Sequence, residues 1–162
     1  MHLDGRVAEC GVSGGDTAYI IASAMKGYGK TLELFDTFLH TPIDEVRAFL
    51  AKFNRSEQNS LPHKTIIDYN IGDVKDTLVA KKWEKEQYCF VHIDVDLYIS
   101  TLTCFQYFYP LLVTGGVIIC GDYGFDGHQE SATRAIDEYM ADKPESVILL
   151  STNQSLVIRL ED

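Results

Sequence analysis

Runs of residues typical of strands alternate with runs typical of helices along the whole chain of 162 residues. This alternation is typical of a mostly parallel sheet with helices on both faces, because parallel strands need long crossover connections. The predicted strands lie near 6–11, 31–36, 64–70, 88–94, 116–121, 146–151 and 155–160. The predicted helices lie near 16–26, 43–53, 73–83, 99–113 and 129–141.

The last two predicted strands are too close together for a helix to join them. Only about four residues, Ser151-Thr152-Asn153-Gln154, separate them, which indicates an antiparallel hairpin. We therefore predict an α/β, Rossmann-like fold, in which a mostly parallel seven-stranded sheet ends in a C-terminal antiparallel hairpin.

The composition limits the number of domains and the class of partner. A chain of this length with 46% hydrophobic residues is expected to form one core, so residues 1–162 are predicted to be a single domain. The 14 basic and 24 acidic residues give a formal net charge of -10, which argues against nucleic acid and anionic membranes as partners.

The apolar runs are too short to span a bilayer and the N-terminus is polar, so we expect a soluble, cytoplasmic protein. The four cysteines lack C-x-x-C spacing, which favours buried free thiols over a zinc site or disulfides.

Polar residues and glycines follow four of the predicted strands at the point where each strand ends. Ligands of open α/β sheets bind outside the carboxyl ends of parallel strands, so these residues are expected to line one crevice. The first strand leads into Glu9-Cys10-Gly11-Val12-Ser13-Gly14-Gly15, which does not match the G-x-G-x-x-G fingerprint of dinucleotide folds. Glycines in this turn allow the backbone to approach a ligand closely, while Glu9 would repel a pyrophosphate and attract a cationic group. The alternative is a tight turn with no ligand.

Two further acids follow the second and third strands. Asp36 lies about 20 residues after the glycines, where a carboxylate can accept both hydroxyls of a ribose; the alternative is that it caps a following helix. Glu33 alternates to a different face and is expected to be solvated. Asp73 either receives the exocyclic amine of an adenine or only caps the next helix, and both interpretations stay open.

The fourth and fifth strands end on carboxylates that suit a metal ion. Asp94 and Asp96 follow the fourth strand and Asp122 follows the fifth, so Asp94 and Asp122 are expected to meet across the crevice. A small set of hard oxygen ligands favours Mg²⁺ over zinc. In the alternative interpretation Asp96 caps the following helix and only Asp94 faces the crevice.

The histidines do not cluster in the sequence. His92 lies inside a predicted strand and is interpreted as a core residue in preference to a base. His128 lies in a glycine-rich loop after Asp122, where an imidazole is a natural proton acceptor at neutral pH. We therefore predict that His128 has a catalytic or substrate-contacting role.

Motifs in both halves of the chain resemble the macrocin O-methyltransferase family, which depends on S-adenosylmethionine. In the first half the similar segments are Val7–Gly15, Phe35–Phe38 and Gly72–Leu78. In the second half they are His92–Thr101, Tyr109-Pro110 with Gly115-Gly116, Asp122-Tyr123 and Ala135–Tyr139. The matches occur in the same order over nearly the whole chain, which makes the combination more specific than any one motif.

The resemblance implies a class I methyltransferase fold and assigns roles to individual residues. It places the methionine end of the cofactor by Glu9 and Gly11 in the turn that also holds Ser13 and Gly15, the ribose by Asp36 and the adenine near Asp73. It implies a small hydroxylated substrate, such as a sugar hydroxyl of a natural product, and Mg²⁺ held by Asp94 and Asp122.

The chain departs from the family at two points. Gly121 stands where the family typically has the first of two paired acids. The family also tends to carry a segment before the first strand that covers the site or builds a dimer. Whether this protein forms a homo-oligomer therefore stays an open question. The alternatives to an O-methyltransferase are a cofactor-binding module without turnover and a nicotinamide-dependent enzyme, which the missing dinucleotide fingerprint disfavours.

Overall fold

The structure is a computed structural model that describes residues 3–56, 65–81 and 86–160. The strands are β1 (Arg6–Cys10), β2 (Thr31–Asp36), β3 (Ile66–Ile71), β4 (Tyr88–Ile93), β5 (Leu112–Cys120), β6 (Ile148–Leu149) and β7 (Ser155–Ile158). The helices are α1 (Asp16–Ala24), α2 (Ile43–Ser56), α3 (Val74–Lys81), α4 (Tyr98–Phe108) and α5 (Arg134–Met140). A 3₁₀ turn, Tyr109–Leu111, joins α4 to β5, and a π-helical turn, Gln129–Thr133, precedes α5.

The seven strands form one sheet in the order β3-β2-β1-β4-β5-β7-β6. Neighbouring strands from β3 to β5 are parallel, whereas β7 is antiparallel to both β5 and β6. This order confirms the predicted class I methyltransferase fold with its C-terminal hairpin. The strand order reverses between β1 and β4, and ligands of doubly wound folds bind at such a switch point.

Each face of the sheet has its own apolar core. Residues of α3, α4 and α5 pack with Ala8, Val91 and Ile118 on one face. Residues of α1 and α2 pack with Val7 and Leu32 on the other. The alternation of side chains along each strand therefore supplies both cores. Among the described residues, no helix has the length and apolar composition needed to cross a membrane.

Several predicted boundaries differ from those of the structure. The helix predicted to reach residue 113 ends at Phe108, because the Pro110 turn intervenes and Leu112 already begins β5. The predicted sixth strand shortens to Ile148–Leu149. Residue 64 of the predicted third strand and residues 82–83 of the predicted third helix lie outside the described residues.

Glu33 is buried, so the expectation that it is solvated is wrong. Its carboxylate is fully inaccessible and accepts a hydrogen bond from the Tyr88 hydroxyl at 3.0 Å. It also pairs with Arg6 and, at 3.4 Å, with the Nζ of Lys81. Two cations and a phenol replace the water that an exposed carboxylate would have. The alternation of side chains along the strand predicted that Glu33 lies on the opposite face of the sheet from its neighbours in sequence. It did not predict that other segments cover this face.

Candidate active site

The ends of β1, β4 and β5 are fixed side by side by main-chain hydrogen bonds. The Asp94 amide donates to the Cys10 carbonyl at 2.8 Å, and the Gly121 amide donates to the Ile93 carbonyl at 2.8 Å. On the other side of β1, the Gly11 amide donates to the Phe35 carbonyl at 2.9 Å. The residues that follow these strands therefore start from neighbouring positions at one edge of the sheet.

Gly11 has no room for a side chain. Its φ is +86°, and a Cβ at this position would lie 1.9 Å from the carbonyl oxygen of Asp94. A positive φ and a backbone contact this close both require glycine. The turn after β1 thus packs directly on the backbone that presents Asp94.

Asp36 holds the turn after β1 in place. Its Oδ2 accepts hydrogen bonds from the amides of Val12 at 2.7 Å and Ser13 at 3.1 Å, and its Oδ1 accepts one from the amide of Phe38 at 2.6 Å. Oδ1 also accepts a long hydrogen bond from the Thr37 hydroxyl at 3.5 Å, so each oxygen of Asp36 already has two donors. A ribose hydroxyl would have to replace one of these donors, and the predicted contact of Asp36 with a ribose stays a prediction.

The turn passes through Ser13 and Gly15 into the first helix. Ser13 is exposed with a φ of 48°, while Gly15 is buried with a φ of 90°. A Cβ on Gly15 would lie 3.2 Å from Val46, so the close packing of α2 restricts this position. Gly15 is the N-cap of α1, and no side chain caps the helix. Asp16 lies in the first turn, where a carboxylate interacts favourably with the positive end of the helix dipole.

Glu9 lies beneath the turn, inside β1, where it is fully buried. It pairs in register with His92 of β4, and the two side chains approach to 3.3 Å between Oε1 and Nδ1. Neither carboxylate oxygen nor Nδ1 has an aligned hydrogen-bond partner. Burial is the main cause that raises the pKa of Glu9 above its ordinary value. The carboxylate is therefore unsatisfied in the free protein, and the predicted contact of Glu9 with a cationic group stays a prediction.

Replacing Glu9 by Gln should stabilise the free protein at neutral pH by about 1 kcal/mol, because a neutral amide of the same shape avoids a buried, unsatisfied charge and can donate to His92. The pKa of Glu9 is raised, so the native state binds its proton more tightly than the unfolded state does. The stability of the parent should therefore fall as pH rises from about 4.5 towards neutrality, and this part of the pH dependence should vanish in Glu9→Gln.

Urea unfolding at about pH 5 and about pH 7.5 measures both effects. Glu130→Gln is the matched control, because this substitution makes the same chemical change at an exposed residue. Equal loss of stability at both pH values in Glu9→Gln would contradict the expectation.

Asp73 caps α3, which is one of the two roles that the sequence left open for it. Its Oδ1 accepts a hydrogen bond from the Lys75 amide at 2.9 Å, and its Oδ2 lies 3.1 Å from the Lys75 Nζ. The amide of Lys75 is the main cause that lowers the pKa of Asp73. This pairing does not test whether the carboxylate also reaches an adenine, and that contact stays a prediction.

A crevice of about 560 Å³ opens beyond the ends of β4 and β5. Asp94, Asp122 and His128, the residues predicted for the metal and for catalysis, all line it. The other lining residues are Gly121, Phe125, Asp126, Thr152 and Gln154. Strand-end reasoning did not find Thr152 and Gln154, because they lie in the hairpin turn between β6 and β7 rather than after a parallel strand.

Gly121 leaves the space that the Asp94 carboxylate fills. A Cβ on Gly121 would lie 2.5 Å from the Oδ1 of Asp94 and 2.9 Å from its Cγ. Loss of solvation, followed by the nearby carboxylate of Asp122, raises the pKa of Asp94 to about 6. The carboxylates of Asp94 and Asp122 repel each other unless they share a cation or a proton.

Asp122 is 9% exposed and organises the segment after β4. Its Oδ2 accepts a hydrogen bond from the Asp96 amide at 3.1 Å, and Asp96 has a φ of 57°. Asp96 does not cap the next helix, because Leu97 is the N-cap of α4 and no side chain caps it. The interpretation of Asp96 as a helix cap is therefore wrong.

Asp96, Asp122 and His128 form a group whose ligand atoms lie within 4.8 Å of one another. The Nδ1 of His128 is buried and has no hydrogen-bond partner. Oxygen and imidazole donors at this spacing are suited to a divalent cation. This group fits a metal ion but contains Asp96 in place of the predicted ligand Asp94, although Asp94 lines the same crevice as Asp122 and His128.

The sheet order, the glycine turn after β1 at the switch point and the acidic crevice beyond β4 and β5 together define a methyltransferase of class I. The profile of the family described as a methyltransferase domain matches residues 8–123, and the chain belongs to this family. S-Adenosylmethionine is the cofactor of this class. No curated protein sequence matches the chain.

Solved structures of methyltransferases share the fold. The O-methyltransferase NovP has a TM-score of 0.80 and 21% sequence identity, and the match covers 98% of this chain and 73% of NovP. CalS11, a TDP-rhamnose 3'-O-methyltransferase of calicheamicin biosynthesis, has a TM-score of 0.76 and 18% identity, over 99% of this chain and 73% of that one. An O-methyltransferase from Bacillus cereus, solved in complex with S-adenosylhomocysteine, has a TM-score of 0.67 and 17% identity, over 95% of this chain and 74% of that one.

Proposed function

We propose that this protein transfers the methyl group of S-adenosylmethionine to a hydroxyl group of a sugar or glycosylated natural product, with the help of Mg²⁺. The observation that carries the proposal is the acidic crevice lined by Asp94 and Asp122, together with the close packing of Gly11, in the turn after β1, on the backbone of Asp94. The names of NovP and CalS11, which describe O-methyltransferases, support the reaction, and that of CalS11 supports a sugar as the acceptor.

The cofactor would lie across the turn after β1. Glu9 would supply negative charge beneath its cationic methionine end, and Gly11, Ser13 and Gly15 would bring the backbone close to it. Asp36 would accept one ribose hydroxyl with Oδ1 in place of the long hydrogen bond from the Thr37 hydroxyl, and Asp73 would lie towards the adenine. The bound cofactor supplies the electrophilic methyl group.

The chemistry of the acceptor falls to the residues of the crevice. A hydroxyl group is a weak acid, and Mg²⁺ held by Asp94 and Asp122 would supply the Lewis acidity that lowers its pKa. His128 would accept the hydroxyl proton, because it lines the same crevice and its Nδ1 has no hydrogen-bond partner. The Asp96 amide donates a hydrogen bond to Asp122, and this bond would keep the Asp96 carboxylate beside the reacting groups.

A cofactor-binding module without turnover is the second candidate. Gly121 favours it, because the residue removes an acid that the resembling family supplies at this point. Measuring cofactor binding and methyl transfer separately distinguishes the two candidates.

S-Adenosylhomocysteine should bind the purified protein and raise its melting temperature, and NAD at the same concentration should not. Asp36→Ala should weaken this binding about tenfold or more, because the variant loses both the ribose contact and the acceptor that holds Val12 and Ser13. Calorimetry gives the affinities, and the melting temperature of the free variant reports any loss of the fold. The absence of S-adenosylhomocysteine binding by the parent protein would refute the proposed function.

Transfer itself is tested with isotopically labelled S-adenosylmethionine and simple glycosides, with Mg²⁺ or with a chelator. Methylated product that appears only with the metal supports the proposal. Tight cofactor binding without product from any glycoside favours the module without turnover.

A further inference from the structure

His128 reaches the crevice from a segment whose two ends are bonded to each other. This segment, residues 123–133, connects the end of β5 to the start of α5, and we call it the His128 segment. The Thr133 hydroxyl donates a hydrogen bond to the Tyr123 carbonyl, and the Thr133 amide donates one to the His128 carbonyl at 3.2 Å. Thr133 therefore contacts both the first residue of the segment and the histidine.

The π-helical turn at the end of the segment brings Thr133 to both partners. Its amide bonds to a residue five positions earlier, whereas an α-helical turn would bond the Ala132 amide to His128. In the π-helical turn Ala132 is fully buried in the core and the Thr133 hydroxyl meets Tyr123. An α-helical turn would rotate Thr133 by about 100° around the helix axis and take its hydroxyl away from this carbonyl. Turns of this kind are rare and frequently occur at functional sites.

Further hydrogen bonds hold the backbone on both sides of His128. The Tyr123 hydroxyl donates to the Oδ1 of Asp137 in α5 at 2.7 Å, which fixes the start of the segment to a packed helix. The Ser131 amide and hydroxyl donate to the His128 carbonyl at 3.1 and 3.2 Å. All of these bonds are made by groups other than the imidazole.

The imidazole of His128 depends on this backbone for its position. Its Nδ1 is buried and has no hydrogen-bond partner among the described residues. A ligand atom of the ring nevertheless lies within 4.8 Å of those of Asp96 and Asp122. A ligand or base has to be held close to its working geometry by the residues around it, because small displacements weaken metal binding and proton transfer.

We infer that Thr133 is a positioning residue, whose hydroxyl closes the His128 segment and thereby holds the imidazole of His128 in the crevice. The inference rests on the proposed function for the role of His128 in the reaction. Without this hydrogen bond the segment has other arrangements, and the apparent affinity for a metal ion falls with the fraction of molecules that remain competent. The usual net contribution of one hydrogen bond corresponds to a fall of about fivefold.

Thr133→Val tests the hydrogen bond, because valine keeps the branched shape and the amide but lacks the hydroxyl. Calorimetry of the full chain with Mn²⁺ alone should show binding about fivefold weaker than in the parent protein. Thr133→Ser, which restores the donor, should bind Mn²⁺ within about twofold of the parent. The affinity for S-adenosylhomocysteine should be unchanged in both variants, because the cofactor would lie across the turn after β1.

Thr103→Val is the matched control. The Thr103 hydroxyl also donates to a main-chain carbonyl, that of Ile99 at 2.7 Å, but at an exposed position of α4 outside the crevice. Thr103→Val should leave Mn²⁺ affinity unchanged. A double-mutant cycle then shows whether Thr133 acts through the histidine: in the His128→Ala background, Thr133→Val should have no further effect on Mn²⁺ affinity.

The reaction provides a second measurement. For a glycoside that the parent protein methylates, Thr133→Val should lower kcat about fivefold and leave the KM for S-adenosylmethionine unchanged. Thr133→Ser should restore kcat. A general loss of the fold would instead lower the melting temperature and weaken S-adenosylhomocysteine binding together.

The outcomes separate the inference from the proposed function. Failure of S-adenosylhomocysteine to bind the parent protein refutes the proposed function, whereas the Mn²⁺ titrations still test the inference. The inference is wrong if the parent protein binds no Mn²⁺, if Thr133→Val binds it as tightly as the parent, or if Thr133→Ser is as weak as Thr133→Val. Equal losses in Thr133→Val and Thr103→Val, or a loss that persists in the His128→Ala background, would also overturn it.

Discussion

Methyl transfer should fall about a hundredfold or more when Asp122 is replaced by Asn. Asp122 is nearly buried, faces Asp94 and belongs to the group with Asp96 and His128. The substitution removes a charge that would hold Mg²⁺, and Lewis-acid assistance contributes several kcal/mol to such a reaction, which corresponds to at least about two powers of ten in rate. Initial rates with labelled S-adenosylmethionine measure the loss, and calorimetry with Mg²⁺ should show weakened metal binding.

The same variant has a second expected effect in the metal-free protein. The carboxylate of Asp122 contributes to raising the pKa of Asp94 to about 6, so Asp122→Asn should lower the pKa of Asp94 towards its ordinary value. NMR titration of the side-chain carboxyl group measures this shift. Asp142→Asn, which changes an exposed acid away from the crevice, should alter neither rate nor pKa. Unchanged methyl transfer in Asp122→Asn would rule out the metal-assisted mechanism for this protein and leave His128 to activate the hydroxyl alone.

Gly11→Ala should destabilise the fold by about 3 kcal/mol or more. The added Cβ would lie 1.9 Å from the Asp94 carbonyl oxygen, and the residue would have to keep a φ of +86°. Left-handed backbone costs about 1–2 kcal/mol for a residue with a Cβ, and the overlap with a main-chain atom must also force β1 and β4 apart. Equilibrium unfolding in urea measures the change, and S-adenosylhomocysteine binding should weaken at the same time.

Gly14→Ala is the control in the same turn. A Cβ there would meet only the Oδ2 of Asp16 at 3.7 Å, which is ordinary contact, and the φ of Gly14 is not in the left-handed region. Its effect on the free energy of unfolding should stay within about 0.5 kcal/mol. Equal effects of the two substitutions would show that the turn after β1 does not pack on the backbone of Asp94 as the structure describes.

The alternation of strand and helix patterns determined most of the fold. It predicted a mostly parallel sheet, and the short connection Ser151–Gln154 predicted the antiparallel hairpin, both of which the strand order confirms. These features follow from local spacing along the chain. Periodicity reports which face of a strand is apolar, and connection length reports whether a crossover helix fits.

Strand-end reasoning also predicted residues that the structure brings to one crevice. Asp94, Asp122 and His128 line the same cavity, because the carboxyl ends of neighbouring parallel strands and the loops that follow them meet at one edge of the sheet. The strand order was implied by the predicted fold, so the sequence sufficed for this part of the candidate site.

Only the tertiary structure decided how individual polar groups are partnered. Asp36 uses one oxygen to hold the turn after β1, Glu9 is buried beneath that turn, and Glu33 is covered by cations from other segments. A hydrogen bond from the Gly124 amide to the Asn153 carbonyl also joins the loop after β5 to the turn between β6 and β7, two segments with no shared sequence pattern. Lone-pair occupancy, burial depth and contacts between distant segments depend on the positions of atoms in space, whereas the spacing of residues along a chain constrains only its local geometry and the faces of its elements.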